Sequence, residues 1–267
     1  LLSISNPTLN FQVKNIRDLP YAASTERGSV EKIVKTSLAL SQSDWDSYET
    51  SWNFTDLPLL RAEPREGTLL DTYVSLRQEW QQTTHEMHRL EEENNRIFID
   101  AYGLQNELTP EVPLEEITLT CNPRYRYGGK KSDEELEALL LADTMREFIS
   151  YAVGCMVGRY ALEAPGLVLA NQGETLEDYL RRVPSPSFVA DRDNVIPILD
   201  GEWFSDDIVE RFRRFLRITF GAQHFDANLD FIEAALGRDI RSYFVRDFYS
   251  DHVRRYLRIG GDEIAGD

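Results

Sequence analysis

The chain has 267 residues, enough for one large or two ordinary domains with a real core. At 42% hydrophobic and 28% charged residues its composition is that of an ordinary folded protein, and no apolar run approaches the roughly 18 residues a membrane span needs. A net charge of −17 excludes a general nucleic-acid glue, since phosphate binding is dominated by Lys and Arg, but it leaves room for one local basic face.

The chain opens Leu1-Leu2-Ser3, with no Met and no signal-peptide pattern, so we expect a piece of a larger protein. Leu9, Phe11 and Val13 alternate with polar neighbours between Pro7 and Pro20. That pattern predicts a half-buried strand over Asn6–Ile16, the last strand of a domain that begins elsewhere. Ser29 is expected to cap a short helix carrying Val30, Ile33, Val34 and Leu38. Ser43, followed by Asp44, Trp45 and Asp46, is expected to start a second turn or helix, and Pro58, Pro64 and Gly67 then break the chain.

The longest predicted element is a heptad helix from Leu69 to Leu104. Alternating steps of four and three give Leu69, Tyr73, Leu76, Trp80, Thr83, Met87, Leu90, Asn94, Ile97, Ala101 and Leu104, about five heptads without a slip. A 3.5-residue period keeps one narrow stripe facing one partner, and 1.5 Å per residue gives a strut on the order of 50 Å. The seam could fold back on its own chain or pair with another, so the oligomeric state is open.

Gly103 fits a C-cap, Thr109-Pro110 begins a new element, and Ile117-Thr118-Leu119 is expected as a short strand. Arg124, Tyr125, Arg126, Tyr127, Lys130 and Lys131, with Gly128 and Gly129, form a basic aromatic loop. Leu136–Leu141 then leads into an apolar helix over Met145–Tyr160. There Gly154 and Gly158 lie four apart, a spacing that predicts close approach of a neighbouring backbone. Ala164–Asp207 is Pro- and acid-rich and expected to be irregular. Three helices follow, Ile208–Phe220, Ala227–Leu236 and Ile240–Leu257. The first is expected to turn Ile208, Phe212, Phe215 and Phe220 inward and Arg211, Arg213, Arg214 and Arg217 outward. The last carries Arg241, Arg246, Arg254, Arg255 and Arg258.

The expected fold is therefore mainly α: a long heptad spacer helix packed with further helices, and a small β element at the N-terminus. Residues 1–66 read as the end of a recognition-type domain and linker, 67–108 as the helical spacer, and 109–267 as a mainly helical C-terminal domain.

No constellation in the sequence supplies catalysis by itself. Asn122-Pro123-Arg124-Tyr125 invites comparison with the Asn-Pro-Pro-Tyr box that holds a target amino group in amino-methyltransferases, but Arg replaces the second Pro and no Gly-rich cofactor loop precedes it. A phosphate-binding Gly-x-x-x-x-Gly-Lys-Ser/Thr loop is absent. His85, His88, His224 and His252 form no ligand set, and His85 and His88 read as a solvated helix face. Asp191-Arg192-Asp193-Asn194 reads as a turn. Cys121 and Cys155 lack ligand spacing and are expected as free thiols in a reducing cytoplasm. The six residues Arg124, Tyr125, Arg126, Tyr127, Lys130 and Lys131 are the candidate DNA contacts, charges meeting phosphates and rings stacking on sugars or bases. For the C-terminal arginines, surface pairing with the abundant acids is the preferred reading.

Several stretches carry a family resemblance. Asn6-Pro7-Thr8-Leu9-Asn10-Phe11-Gln12-Val13, Asn94 to Leu108, and Ile149 to Tyr160, with Asn171-Gln172-Gly173-Glu174-Thr175-Leu176, Asn194-Val195-Ile196-Pro197-Ile198 and Trp203-Phe204, resemble PglX-type enzymes. These are the adenine-specific DNA methyltransferases of BREX bacteriophage-defence systems, and the similarity falls C-terminal to their methyltransferase domain. The first two stretches also look like fused restriction–modification enzymes. The resemblance implies a parent enzyme that moves a methyl group from S-adenosylmethionine to adenine N6, with its catalytic box and cofactor loop upstream of this chain. It implies DNA as a partner through the parent enzyme, and other defence-system proteins as candidate partners.

Overall fold

The computed structural model describes residues 27–61 and 67–257. Among them are nine α-helices and no strand: α1 (Arg27–Asp46), α2 (Leu69–Tyr102), α3 (Pro123–Tyr127), α4 (Asp133–Met156), α5 (Leu176–Arg182), α6 (Ile208–Phe220), α7 (Phe225–Leu236), α8 (Ile240–Arg246) and α9 (Phe248–Leu257). The strand expected at Asn6–Ile16 lies outside the described residues. Ile117-Thr118-Leu119 is not a strand. Its alternation is real, since Ile117, Leu119 and Cys121 are all buried, but they plug a small core with Met87 and meet no ladder partner. α1 is also longer than expected and runs through Ser43-Asp44 without a break. Asp44 does not cap a new helix; it accepts the backbone N–H groups of Thr120 at 2.6 Å and Cys121 at 2.9 Å.

The strut forms where the heptads place it. Thr68 caps α2 through a reciprocal box with Asp71, its hydroxyl accepting the Asp71 N–H at 3.2 Å while its own N–H donates to the Asp71 carboxylate at 2.8 Å. Gly103 ends the helix at φ 69°, and Leu104 N–H returns to the Ile99 carbonyl at 3.0 Å. The seam is shorter than its sequence pattern. Leu69, Tyr73, Leu76, Met87 and Leu90 are buried, but Thr84 rather than Thr83 faces inward, and Ala101 is exposed. The stripe packs within its own chain. Its first part joins the main core, where the buried Asn228 side chain on α7 accepts the Leu69 N–H at 2.8 Å. Met87 joins the second core, with Trp80 packed against both. α2 thus fastens two cores together.

α4 is the axis of the larger core. Phe148 is fully buried, with the rings of Phe212, Phe215 and Phe220 from α6 at 6.0, 5.7 and 5.8 Å. Ile208, Phe212, Phe215 and Phe220 all face inward, as expected. Arg77 on α2 makes a two-pronged ion pair with Glu137 on α4, at 2.7 and 2.5 Å. Gly154 is needed for a side chain rather than a backbone: a Cβ there would lie 2.5 Å from the Tyr160 ring. Gly158 lies beyond the helix at φ 75°, a conformation that L side chains rarely adopt. The segment from 164 to 207 is irregular apart from α5. It is pinned by Gly166 N–H to the Thr55 carbonyl at 2.6 Å and Asp191 N–H to the Met156 carbonyl at 2.7 Å. The last predicted helix is broken at Asp247 into α8 and α9.

Candidate functional site: the basic segment and a buried polar centre

Asn122 and Pro123 start α3, so most of the expected basic loop is a short helix. Asn122 is buried; its amide donates to the Leu114 and Ile117 carbonyls at 2.7 and 2.9 Å, and its oxygen accepts the Arg124 N–H at 3.2 Å. Both amide protons and one oxygen lone pair are spent on its own backbone and the side chain is buried, so Asn122 is not presented to a substrate amine. Gly128 and Gly129, at φ 51° and 72°, reverse the chain, and Lys131 folds back onto the carbonyls of Tyr127 and Gly128, both at 3.2 Å. This places a cation at the carbonyl end of α3.

The six candidate residues divide into two sets. Tyr125, Lys130 and Lys131 are exposed, and half-buried Arg124 pairs with Asp133 at 2.5 Å. Arg126 and Tyr127 turn inward onto α4. Arg126 reaches Asp143 at 3.2 Å and Glu147 at 2.9 Å and lies over the rings of Tyr48 and Tyr127. Burial works against its charge, but Glu147 and the surrounding groups hold the guanidinium above its ordinary range. The Tyr127 hydroxyl donates to Asp143 at 2.8 Å, and burial, then Asp143, push that phenol up.

The inward set belongs to a larger polar centre. Arg146 bridges Asp143 at 2.8 Å and Asp251 at 3.0 Å, linking α4 to α9. Nearby, Glu49 is a buried carboxylate, its side chain 7% exposed. It accepts hydrogen bonds from Ser150 and Tyr160, both at 3.1 Å, and lies 3.7 Å from Arg159 and 3.5 Å from Arg255. Sequence reasoning missed Glu49 altogether, because its partners lie about a hundred residues away and no local spacing marks it.

Glu49, Ser150 and His252 together look like parts of a nucleophilic site, but their order is wrong. Ser150 donates its proton to Glu49, so it accepts from His252 Nδ1 at 3.0 Å. An activated serine must instead donate to the imidazole. Ser150 is also buried on α4. Burial lowers the His252 pKa, Arg255 and Arg159 add to the shift, and Glu49 opposes it. The trio is a structural knot.

The remaining candidates are structural as well. His88 is not simply solvated: its Nε2 lies 2.7 Å from the Val112 carbonyl and 3.2 Å from Glu92, pinning the chain that leaves α2. Among the described residues no group of three or more His, Cys, Asp or Glu could hold a metal ion. Cys121 and Cys155 are free and buried, and burial pushes both thiols up. Asp191, in the predicted turn, accepts the Asp193 N–H at 3.1 Å and pairs with Arg211 on α6. The C-terminal arginines are paired only in part: Arg213 meets Glu210, Arg238 meets Asp247 and Arg241 meets the buried Asp207, whereas exposed Arg214, Arg217, Arg246 and Arg254 have no carboxylate partner among the described residues. No described helix is long and apolar enough to cross a membrane.

No protein-family model matches the chain. Over 96% of its length it is 32% identical to the adenine-specific methyltransferase BrxX of Escherichia coli O9:H4 (strain HS), of which it spans 22%. Over 96% of its length it is likewise 32% identical to the adenine-specific methyltransferase PglX of Lacticaseibacillus casei (strain Zhang), of which it spans 20%. The chain thus covers about a fifth of the length of these curated relatives. The PglX-type resemblance therefore holds across nearly the whole chain.

Proposed function

We propose that this chain is the helical spacer of a PglX-type adenine-specific DNA methyltransferase acting in bacteriophage defence, and that it carries no methyl-transfer chemistry of its own. The observation that supports the reading best is α2, a single capped helix that belongs to both cores and so transmits position rigidly between them. The described residues offer no strand and Gly-rich loop for S-adenosylmethionine, and Asn122 is already committed to its own backbone. On this reading the cofactor and the catalytic box belong to other parts of a cytoplasmic enzyme.

Direct DNA contact is confined, in this proposal, to the open part of the basic segment: Arg124, Tyr125, Lys130 and Lys131. A salt titration of DNA binding tests it. Three phosphate contacts predict a slope of log affinity against log salt of about −2.7 for duplex DNA. Replacing Arg124, Lys130 and Lys131 together should abolish that slope.

The second reading is a protein-docking scaffold without DNA contact. It is favoured by the carboxylate partners of Arg126, Arg146, Arg211, Arg213, Arg238, Arg241 and Arg255, which neutralise those seven arginines and leave exposed Arg214, Arg217, Arg246 and Arg254 as the C-terminal arginines without a carboxylate partner among the described residues. Absence of any salt slope for the unaltered chain, with binding to other defence-system proteins retained, would select the scaffold.

A further inference from the structure

α1 carries more apolar surface than the fold covers. Its inner side is used: Ile33 is buried, and Leu40 packs against the core that holds Met87. Steps of four, three and four along an outer stripe give Val34, Leu38, Ser41 and Trp45, the spacing of a helix seam. All four are exposed, Val34 at 45%, Leu38 at 64% and Trp45 at 50%. Along one edge of the stripe a groove of about 400 Å³ separates α1 from α2. Val34, Leu38 and Ser41 line it on one side, and Met87, Leu90 and Asn94 on the other.

The charges of α1 are ordered along its axis. In its first half Arg27 pairs with Glu31, whereas Lys32 and Lys35 are exposed and have no carboxylate partner among the described residues. At the other end Asp44 and Asp46 have no cationic partner among the described residues. Asp44 holds the backbone at Thr120 and Cys121, and Asp46 accepts the Ser51 hydroxyl at 2.6 Å. At 3.6 residues per turn, Lys32, Lys35, Gln42 and Asp46 all flank the stripe on the side away from the groove.

This order selects an occupant. An anionic surface would gain from the lysines and be repelled by the aspartates. A second α1 laid parallel would set lysine against lysine. Laid antiparallel, with Leu38 against Ser41 and Val34 against Trp45, it brings the same flank of both helices together and sets the lysine end of each against the aspartate end of the other. The large Leu38 then meets the small Ser41, twice over. α1 is thus complementary to itself in both shape and charge.

We propose that the outer stripe of α1 is a self-association surface, on which α1 of a second copy packs antiparallel about a two-fold axis between Leu38 and Ser41. Lys32 and Lys35 of one copy lie against Asp46 and Gln42 of the other. α1 is about 30 Å long, so the contact is smaller than the roughly 800 Å² per partner of a standard interface. The dimer is accordingly weak, with a dissociation constant of about 10 to 100 µM. It forms at all because α1 is already ordered against α2, so pairing orders little further backbone. The surface does not depend on the spacer proposal.

The test is sedimentation equilibrium of the full 267-residue chain, loaded from about 1 to 500 µM. A monomer–dimer equilibrium is expected, and added salt should weaken it. Leu38→Glu, at the centre of the contact, should raise the dissociation constant about tenfold or more. Leu70→Glu, at an exposed apolar residue of α2 outside the stripe, should change nothing. Lys32→Glu with Lys35→Glu should weaken the dimer several-fold, and adding Asp46→Lys should recover part of that loss. Antiparallel pairing predicts this recovery, and parallel pairing does not. Thermal melting confirms that each variant is folded. The proposal is overturned if the chain stays monomeric at the highest loading, as it would if another part of a longer protein covers the stripe. It is equally overturned if folded Leu38→Glu dimerises like the unaltered chain, or if Asp46→Lys recovers nothing.

Discussion

Two halves of one short segment behave as different materials. Arg126 and Tyr127 sit one residue from Tyr125 and three from Lys130, with the same chemistry. Yet the first pair is fastened to Asp143 and Glu147 on α4, while Tyr125 and Lys130 face solvent. The difference comes from the helical turn of α3 and from the carboxylates that α4 presents at Asp143 and Glu147, one turn apart. A basic aromatic cluster in sequence is therefore not a basic face in space. Which of its residues can touch a partner is decided by what lies beneath.

The sharpest way to break the comparison is to remove Arg126. Arg126→Ala leaves Glu147 partly buried without a cation and Asp143 with Arg146 alone, and should cost about 3 kcal/mol, read as a lower urea midpoint at unchanged slope. If the loss were no greater than for an exposed arginine, the inward set would have no structural role. Tyr127→Phe keeps the ring and removes the hydrogen bond to Asp143, so a smaller loss of about 1 to 2 kcal/mol is expected by the same measurement.

How far these features were legible in the sequence follows the range of the interactions. α2 was legible because its signals are local: apolar residues at fixed spacing from Leu69 onward and Gly103 at its end. The inward face of α6 was legible for the same reason. Ser43-Asp44 misled, since a good N-cap pair in isolation is used here to hold a distant turn at Thr120 and Cys121. The alternation at Ile117–Leu119 identified buried positions correctly but not their structure, because period two needs a neighbouring strand to become a sheet. The inward half of the basic segment and the role of Glu49 were invisible, since each depends on partners brought together only by the tertiary fold.

The polar centre beneath the segment also gives a pH test. His252 would take a proton near pH 6.5 when unfolded, and burial lowers that value in the folded chain. Between the two values the unfolded state binds more protons, so stability rises with pH there. The contribution of His252 is complete above about pH 6.5 and is lost as pH falls towards the folded value. Urea midpoints measured from pH 7.5 down to 5 should fall more steeply for the unaltered chain than for His252→Gln. Equal slopes would mean that His252 titrates alike in both states.

The smallest expected effect on stability falls on the open half of the segment. Lys130 is exposed and has no partner among the described residues, and Tyr125 is 45% exposed. Each truncation should therefore alter stability by no more than about 0.5 kcal/mol, the usual range for surface positions away from caps and cores. Lys130→Ala and Tyr125→Ala together then form a clean probe, because any lost binding cannot be blamed on a loosened fold. If the variant loses DNA affinity and the lost part is salt-dependent, the open half is a contact surface. If DNA binding and urea midpoint both stay where they were, Tyr125 and Lys130 carry neither structure nor DNA, and any DNA contact of this stretch falls to Arg124 and Lys131.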